Sequence, residues 1–233
     1  MKIKITLLLS LFMVQVVTYA QQNSIVFRTG VSMPVGKFAS AANDAVSGFA
    51  STGYYLDLGY AHKLNKYVAI NGLIKYFNNG VDTKELQNQA NISYQPYAAR
   101  EPQVGNYIGI GALAGLTFNI PTSDRIETSI ILNAGYMNLT NPNYRFDYYY
   151  NNLILLSETE KKSVGAFAYS FGADFKYAVT NNLGILLNAA FLGNRANLKD
   201  VKTTFSTGET NYFSAKAPMN TIDLGLGLAY KFK

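Results

Sequence analysis

The sequence has no cysteine, no tryptophan and only one histidine in 233 residues. Without cysteine no disulfide can hold the fold, a lipoprotein tether has no attachment point, and zinc or iron sites lose their usual ligands. Charge is also sparse: Asp, Glu, Lys and Arg make up 15% of the chain, and the formal net charge of +6 is spread without a basic cluster. That distribution excludes a nucleic-acid face. One apolar run stands at the N-terminus, and after it none approaches the roughly 20 residues of a spanning helix. Residues 1–20, MKIKITLLLSLFMVQVVTYA, read as a signal peptide, with Lys2 and Lys4 ahead of the apolar run and Thr18 and Ala20 as small residues for cleavage. Its removal would lower the charge from +6 to +4 and leave residues 21–233 as one domain.

What the chain does have is Tyr (18), Phe (14) and Gly (19), arranged with period two. Eight segments alternate in this way: 24–32, 50–63, 67–78, 106–119, 126–138, 165–179, 183–194 and 219–232. The last sets Ile222, Leu224, Leu226, Leu228, Tyr230 and Phe232 against Asp223, Gly225, Gly227, Ala229 and Lys231. The sixth sets Phe167, Tyr169, Phe171, Phe175 and Tyr177 against Ala168, Ser170, Gly172, Asp174 and Lys176. No helical period of comparable strength occurs. A soluble barrel would point the bulky face inward, leaving an exterior of Gly, Ala, Ser and Asn; a membrane barrel reverses this. A Lys or Arg facing lipid near the bilayer midplane costs about 2 to 4 kcal/mol, so the bulky face is assigned to lipid and the small, partly ionic face to the lumen.

The connections alternate in length. Those at 64–66, 120–125 and 180–182 are a few residues long, whereas 33–49, 79–105, 139–164 and 195–218 are long. This predicts an all-β fold: an eight-stranded antiparallel up-and-down transmembrane barrel with short periplasmic turns, long extracellular loops and both termini on the short-turn side. The chain resembles the small outer-membrane barrels of the OmpA/OmpX type, single-domain and porin-like, over its whole mature length. Its end, "LGLGLAYKF", looks like the terminal signal read by the barrel-assembly machinery, carried here by Gly227, Tyr230 and Phe232. The resemblance implies an outer-membrane location, contact with lipid and lipopolysaccharide, and delivery by that machinery.

Parity places Arg28, Lys75, Lys176 and Lys231 inside with Asp57, Glu127, Asp174 and Asp223. An interior of eight strands is just wide enough for side chains to fill, so these groups are expected to pair and block it. A narrow pore for ions or small solutes is the alternative. Some small outer-membrane barrels are acyltransferases or proteases, with chemistry built on a histidine and acidic or hydroxyl partners. Here the sole histidine, His62, falls beside a short turn, so no enzyme, cofactor or metal site is expected. The spaced glycines Gly109, Gly111, Gly115, Gly225 and Gly227 lie on strands with no helix following, and read as small lumen residues rather than a phosphate loop. Tyr54, Tyr60, Tyr76, Phe118, Phe167 and Tyr177, near strand ends, read as interfacial girdles.

The loops carry the remaining information. Lys199, Lys202 and Lys216 could meet lipopolysaccharide phosphates. The stretch "NPNYRFDYYYNN" at 141–152 predicts a hairpin turning at Asn151-Asn152, in which opposed residues sum to 303: Tyr148 with Leu155, Arg145 with Glu158. The same register continues to Tyr136 beside Phe167 and Glu127 beside Lys176, so strands five and six should extend as a ribbon with a bulge or bend at Pro142. Tyr144, Phe146, Tyr148 and Tyr150 then share one face, a candidate surface for an extracellular or envelope protein partner. Membership of a larger envelope or secretion complex is a further alternative.

Overall fold

A computed structural model describes residues 23–42, 47–151 and 153–232. The signal-peptide segment and Asn152 of the predicted turn lie outside the described residues. Eight strands close a barrel: β1 (Asn23–Pro34), β2 (Gly53–Lys63), β3 (Val68–Asn79), β6 (Tyr107–Pro121), β7 (Ile126–Asn141), β10 (Lys162–Ala178), β11 (Leu183–Asn194) and β14 (Thr221–Phe232). Each pairs antiparallel with its neighbour in the order β1-β14-β11-β10-β7-β6-β3-β2, and β2 returns to β1. Closure leaves no free edge, which supplies what disulfides cannot.

Alternation sorts the side chains as two different surroundings require. Leu58, Ile74, Tyr136, Phe167 and Leu226 are more than half exposed on the outer face. At positions of the opposite parity on the barrel strands, Val26, Arg28, Asp57, Lys75 and Asp174 are buried. Strands of 11 to 17 residues exceed the 9 to 11 that a tilted strand needs to cross hydrocarbon. With an apolar exterior and a closed ladder, the fold is an eight-stranded antiparallel transmembrane barrel. Two of the lumen glycines show why their side chains are missing. A Cβ on Gly109 would sit 2.1 Å from the Phe77 ring, and one on Gly225 would sit 2.2 Å from the Thr29 carbonyl oxygen and 2.5 Å from the Tyr55 hydroxyl.

The long connections are not simple loops. The second contains a helix, α1 (Thr83–Ser93), followed by β4 (Ala98–Ala99) and β5 (Gln103–Val104). The third is the predicted ribbon, β8 (Tyr144–Tyr150) and β9 (Leu153–Thr159); the fourth is β12 (Ala196–Phe205) and β13 (Thr210–Ala217). These strands form a second sheet, β13-β12-β9-β8-β4, with β5 also on β8. The helix lies in a connection read from the sequence only as a long loop. It is short and polar, so its period is weak, but Asp82 caps it by accepting from the Glu85 amide at 3.1 Å.

Candidate functional site

Inside the barrel the predicted ionic residues converge. Arg28 donates to Asp174 through Nη2 (2.6 Å) and Nε (3.1 Å). Lys75 Nζ lies 3.1 Å from Asp57, 2.7 Å from Asp223 and 4.6 Å from the centroid of the Tyr55 ring. The Tyr55 hydroxyl donates to Asn188 Oδ1 (3.0 Å), whose amide donates in turn to Asp174 (2.7 Å). Nearer the short turns, Glu127 accepts from Lys176 and from Lys63, the latter at 2.7 Å. Lys231 stands on the same inner face, opposite Ser24. Lys63 was not among the predicted lumen charges, although it lies six residues beyond Asp57 on the same strand and so shares its parity.

The interior is not polar throughout. Towards the long loops, Phe77, Met137, Leu139, Leu192 and Met219 are fully buried in one cluster with Phe38 and Tyr107. The rings of Phe38 and Tyr107 meet edge-on at 4.9 Å between centroids. Cavities of about 60 and 20 Å³ remain below this cap, each bounded in part by Arg28.

Above the barrel, the ribbon has the predicted register. Tyr148 pairs with Leu155, Arg145 with Glu158, Tyr136 with Phe167 and Glu127 with Lys176. The pairing sum is unchanged on either side of Pro142, so the strand is interrupted there without an inserted residue and no bulge forms. Asn151 takes φ +52°, as a two-residue hairpin turn asks of its first position.

Where the structure departs from expectation is in which face is open. Tyr148 is buried with Ala90 of α1 and Ala99 of β4, and Tyr97, Phe146 and Leu155 pack around them. Tyr94 and Tyr97, just beyond the helix, lie 5.0 and 5.5 Å from the rings of Tyr148 and Tyr150. The Tyr144 hydroxyl is hydrogen-bonded to that of Tyr107 at 2.7 Å. Burial pushes the Tyr144 and Tyr148 phenols above their ordinary range, helped by Tyr107 and Tyr94 respectively. Of the four aromatics Tyr144, Phe146, Tyr148 and Tyr150, only Tyr150 is exposed. The outer edge of β8 pairs with β4 and β5, and the base of β9 pairs with β12. An aromatic face in water would leave its area uncovered, and the helix removes that cost.

The opposite face of the sheet is polar. Arg145 lies 3.5 Å from Asp147 and 3.4 Å from Glu158, beside an open cavity of about 440 Å³ that Gln103, Glu160, Lys202 and Thr204 also line. Beyond it, at the turn, Tyr150, Leu153 and Ile154 are 40%, 64% and 57% exposed. The contributions of α1, β12 and β13 were missed by sequence reasoning; only the Asp82-x-x-Glu85 spacing offered a signal.

No protein-family model matches the sequence, and no curated protein is detectably similar to it. Among solved structures, Ail, the attachment invasion locus protein of Yersinia pestis, is 14% identical with a TM-score of 0.45, covering 92% of this chain and all of that one. A major outer membrane protein from Thermus thermophilus is 12% identical with a TM-score of 0.49, covering 92% of this chain and all of its own. Neisserial surface protein A is 12% identical with a TM-score of 0.37, covering 91% of this chain and 96% of that one. Likenesses this distant carry nothing about ligand or activity, and the architecture stands on the strand pairing itself.

Proposed function

We propose that the protein is a non-enzymatic outer-membrane barrel with a closed lumen, which holds a folded sheet outside the cell as its interaction surface. The observation that carries this reading is the second sheet. Three separate long connections are ordered into one two-faced unit with its own small core, far more than chain closure requires. Its polar face offers Arg145, Glu158 and Lys202, and its tip offers exposed Tyr150, Leu153 and Ile154. Exposed aromatic and aliphatic side chains beside mixed charges suit a protein surface as partner.

In this orientation the outer face meets lipid, with lipopolysaccharide above it, and Lys199, Lys202 and Lys216 stand on the lipopolysaccharide side. Gly227, Tyr230 and Phe232 serve the barrel-assembly machinery from β14, where Tyr230 points outward. His62, at the short-turn end, meets Asn23 Oδ1 at 2.8 Å, which gives it a structural partner rather than a nucleophile to activate. The alternatives of a narrow pore or a subunit of an envelope complex make different predictions. Purified protein in planar bilayers is expected to give no stable single-channel current. Cells carrying Tyr150→Ser, Leu153→Ser and Ile154→Ser together should display the barrel normally but adhere less to host or neighbouring cell surfaces. Steady conductance would favour the pore, and unchanged adhesion would remove the tip from the reading.

A further inference from the structure

We infer that the short-turn mouth of the lumen is a binding site for a small oxyanion of phosphate size, carried by a local excess of positive charge. The lumen charges fall into two layers of opposite sign. The middle layer sets Arg28 and Lys75 against Asp57, Asp174 and Asp223, a net of −1. The mouth layer sets Lys63, Lys176 and Lys231 against Glu127 alone, a net of +2. Glu127 holds the first two ammonium groups together, and each retains N–H donors beyond the one spent on the carboxylate.

The cavity of about 60 Å³ is lined by Lys63, Lys176, Glu127, Asn119, Gly59 and the Arg28–Asp174 pair, a net of +1, with Lys231 outside its lining. A single water needs about 10 to 15 Å³ of occupied volume, so the space admits a group larger than one water. Two features of the wall point to a ligand. Asn119 is buried, its Oδ1 accepts from Ser129, and its Nδ2 donor has no partner among the described residues. A buried donor left unpaired costs about 1 to 3 kcal/mol, and an anion oxygen would satisfy it. Gly59 is the second. A Cβ there would make only ordinary contacts, 3.5 Å from the Gly72 carbonyl and 3.7 Å from Arg28 Nη1, in contrast to Gly109 and Gly225. Packing does not require glycine at 59; its absence of a side chain leaves the cavity open. The side chains of Lys63, Lys176 and Glu127 retain 14 to 20% exposure, so the site is reached from the short-turn side.

The test uses the full mature chain refolded in detergent, titrated with inorganic phosphate and, separately, with acetate, against sodium chloride at matched ionic strength. Binding is read from NMR shifts of lysine Nζ and asparagine Nδ2 groups. Saturable phosphate binding that chloride does not reproduce is expected, with acetate showing whether a carboxylate is also accepted. Lys231→Gln removes one excess charge and should weaken binding about tenfold. Gly59→Ala fills the cavity with every charge retained and should weaken it comparably, with heat-modifiable gel migration showing both variants folded. Non-saturable shifts, an equal response to chloride, or wild-type affinity in folded Gly59→Ala protein would overturn the proposal.

Discussion

Asp174 and Asp223 are both buried lumen carboxylates, yet their neighbourhoods differ. Asp174 is the carboxylate to which Arg28 donates through both Nε and Nη2. Asp223 approaches Lys75 at 2.7 Å but makes no well-directed side-chain hydrogen bond among the described residues, and Lys75 also has Asp57 at 3.1 Å. Removing one partner of a buried pair costs about 3 to 5 kcal/mol because the other charge is stranded. Asp174→Asn strands Arg28 and should show a loss of that order in denaturant unfolding from detergent micelles. Asp223→Asn leaves Lys75 paired and lowers the repulsion among three acidic groups, so its loss should be clearly smaller. Equal losses would mean that the middle layer acts as one shared network rather than as two pairs.

Among the elements, α1 and β8 show how the upper sheet is held and how far sequence could foresee it. The barrel strands were legible to within three residues at each end because lipid outside and a tight lumen inside enforce period two on every one of them. The β8–β9 ribbon was legible because its register continues that of β7 and β10. Which face of the ribbon is covered was not, since the answer lies in α1, contributed by a different connection and too short and polar to announce itself. The partners of β12 were hidden for the same reason: its three pairs with β9 join segments more than forty residues apart, with no local pattern to mark them. Parity put eight ionic residues on the inner face, and Lys63, which shares the parity of Asp57 at the last position of its strand, was not among them. Asp82→Ala removes the α1 cap and should cost the helix about 1 kcal/mol. Faster amide exchange across 83–93, with unchanged protection in β6 and β7, is the expected readout. The tyrosines give the same unit a pH dependence. Tyr144 and Tyr148 hold their protons above the ordinary phenol value of 10.0. Above that pH the unfolded segment carries fewer protons than the folded one, so stability is intact below about pH 10 and falls as pH rises. Near-UV circular dichroism should show the tyrosine signal of the upper sheet lost above pH 10. Tyr148→Phe, which keeps the ring and removes the proton, should shift that loss to higher pH.

At the scale of the whole molecule, the barrel and the upper sheet answer to different forces. The barrel closes on its own ladder, and its exterior is matched to lipid, so nothing in its pairing depends on β8, β9 or α1. The upper sheet has the converse dependence: α1, β4 and β5 all rest on β8, and β12 meets the rest of the sheet through β9. The constant register makes this separable by design, because Asn141 and Lys162 are the last barrel pair and a two-residue turn between them preserves every pairing below. Replacing residues 142–161 by Asn-Gly is therefore expected to give a barrel with normal heat-modifiable migration and a near-normal unfolding midpoint. The same protein should become protease-sensitive across 83–104, which loses the strand it packs on, and less so across 196–217, where Ala196, Leu198 and Val201 are also buried in the cluster that caps the lumen. Adhesion should fall with it, by at least as much as in the variant altered only at Tyr150, Leu153 and Ile154. If the shortened chain failed to refold, the ribbon would be a nucleus for closing β7 onto β10, and the division between membrane scaffold and surface sheet would have to be abandoned.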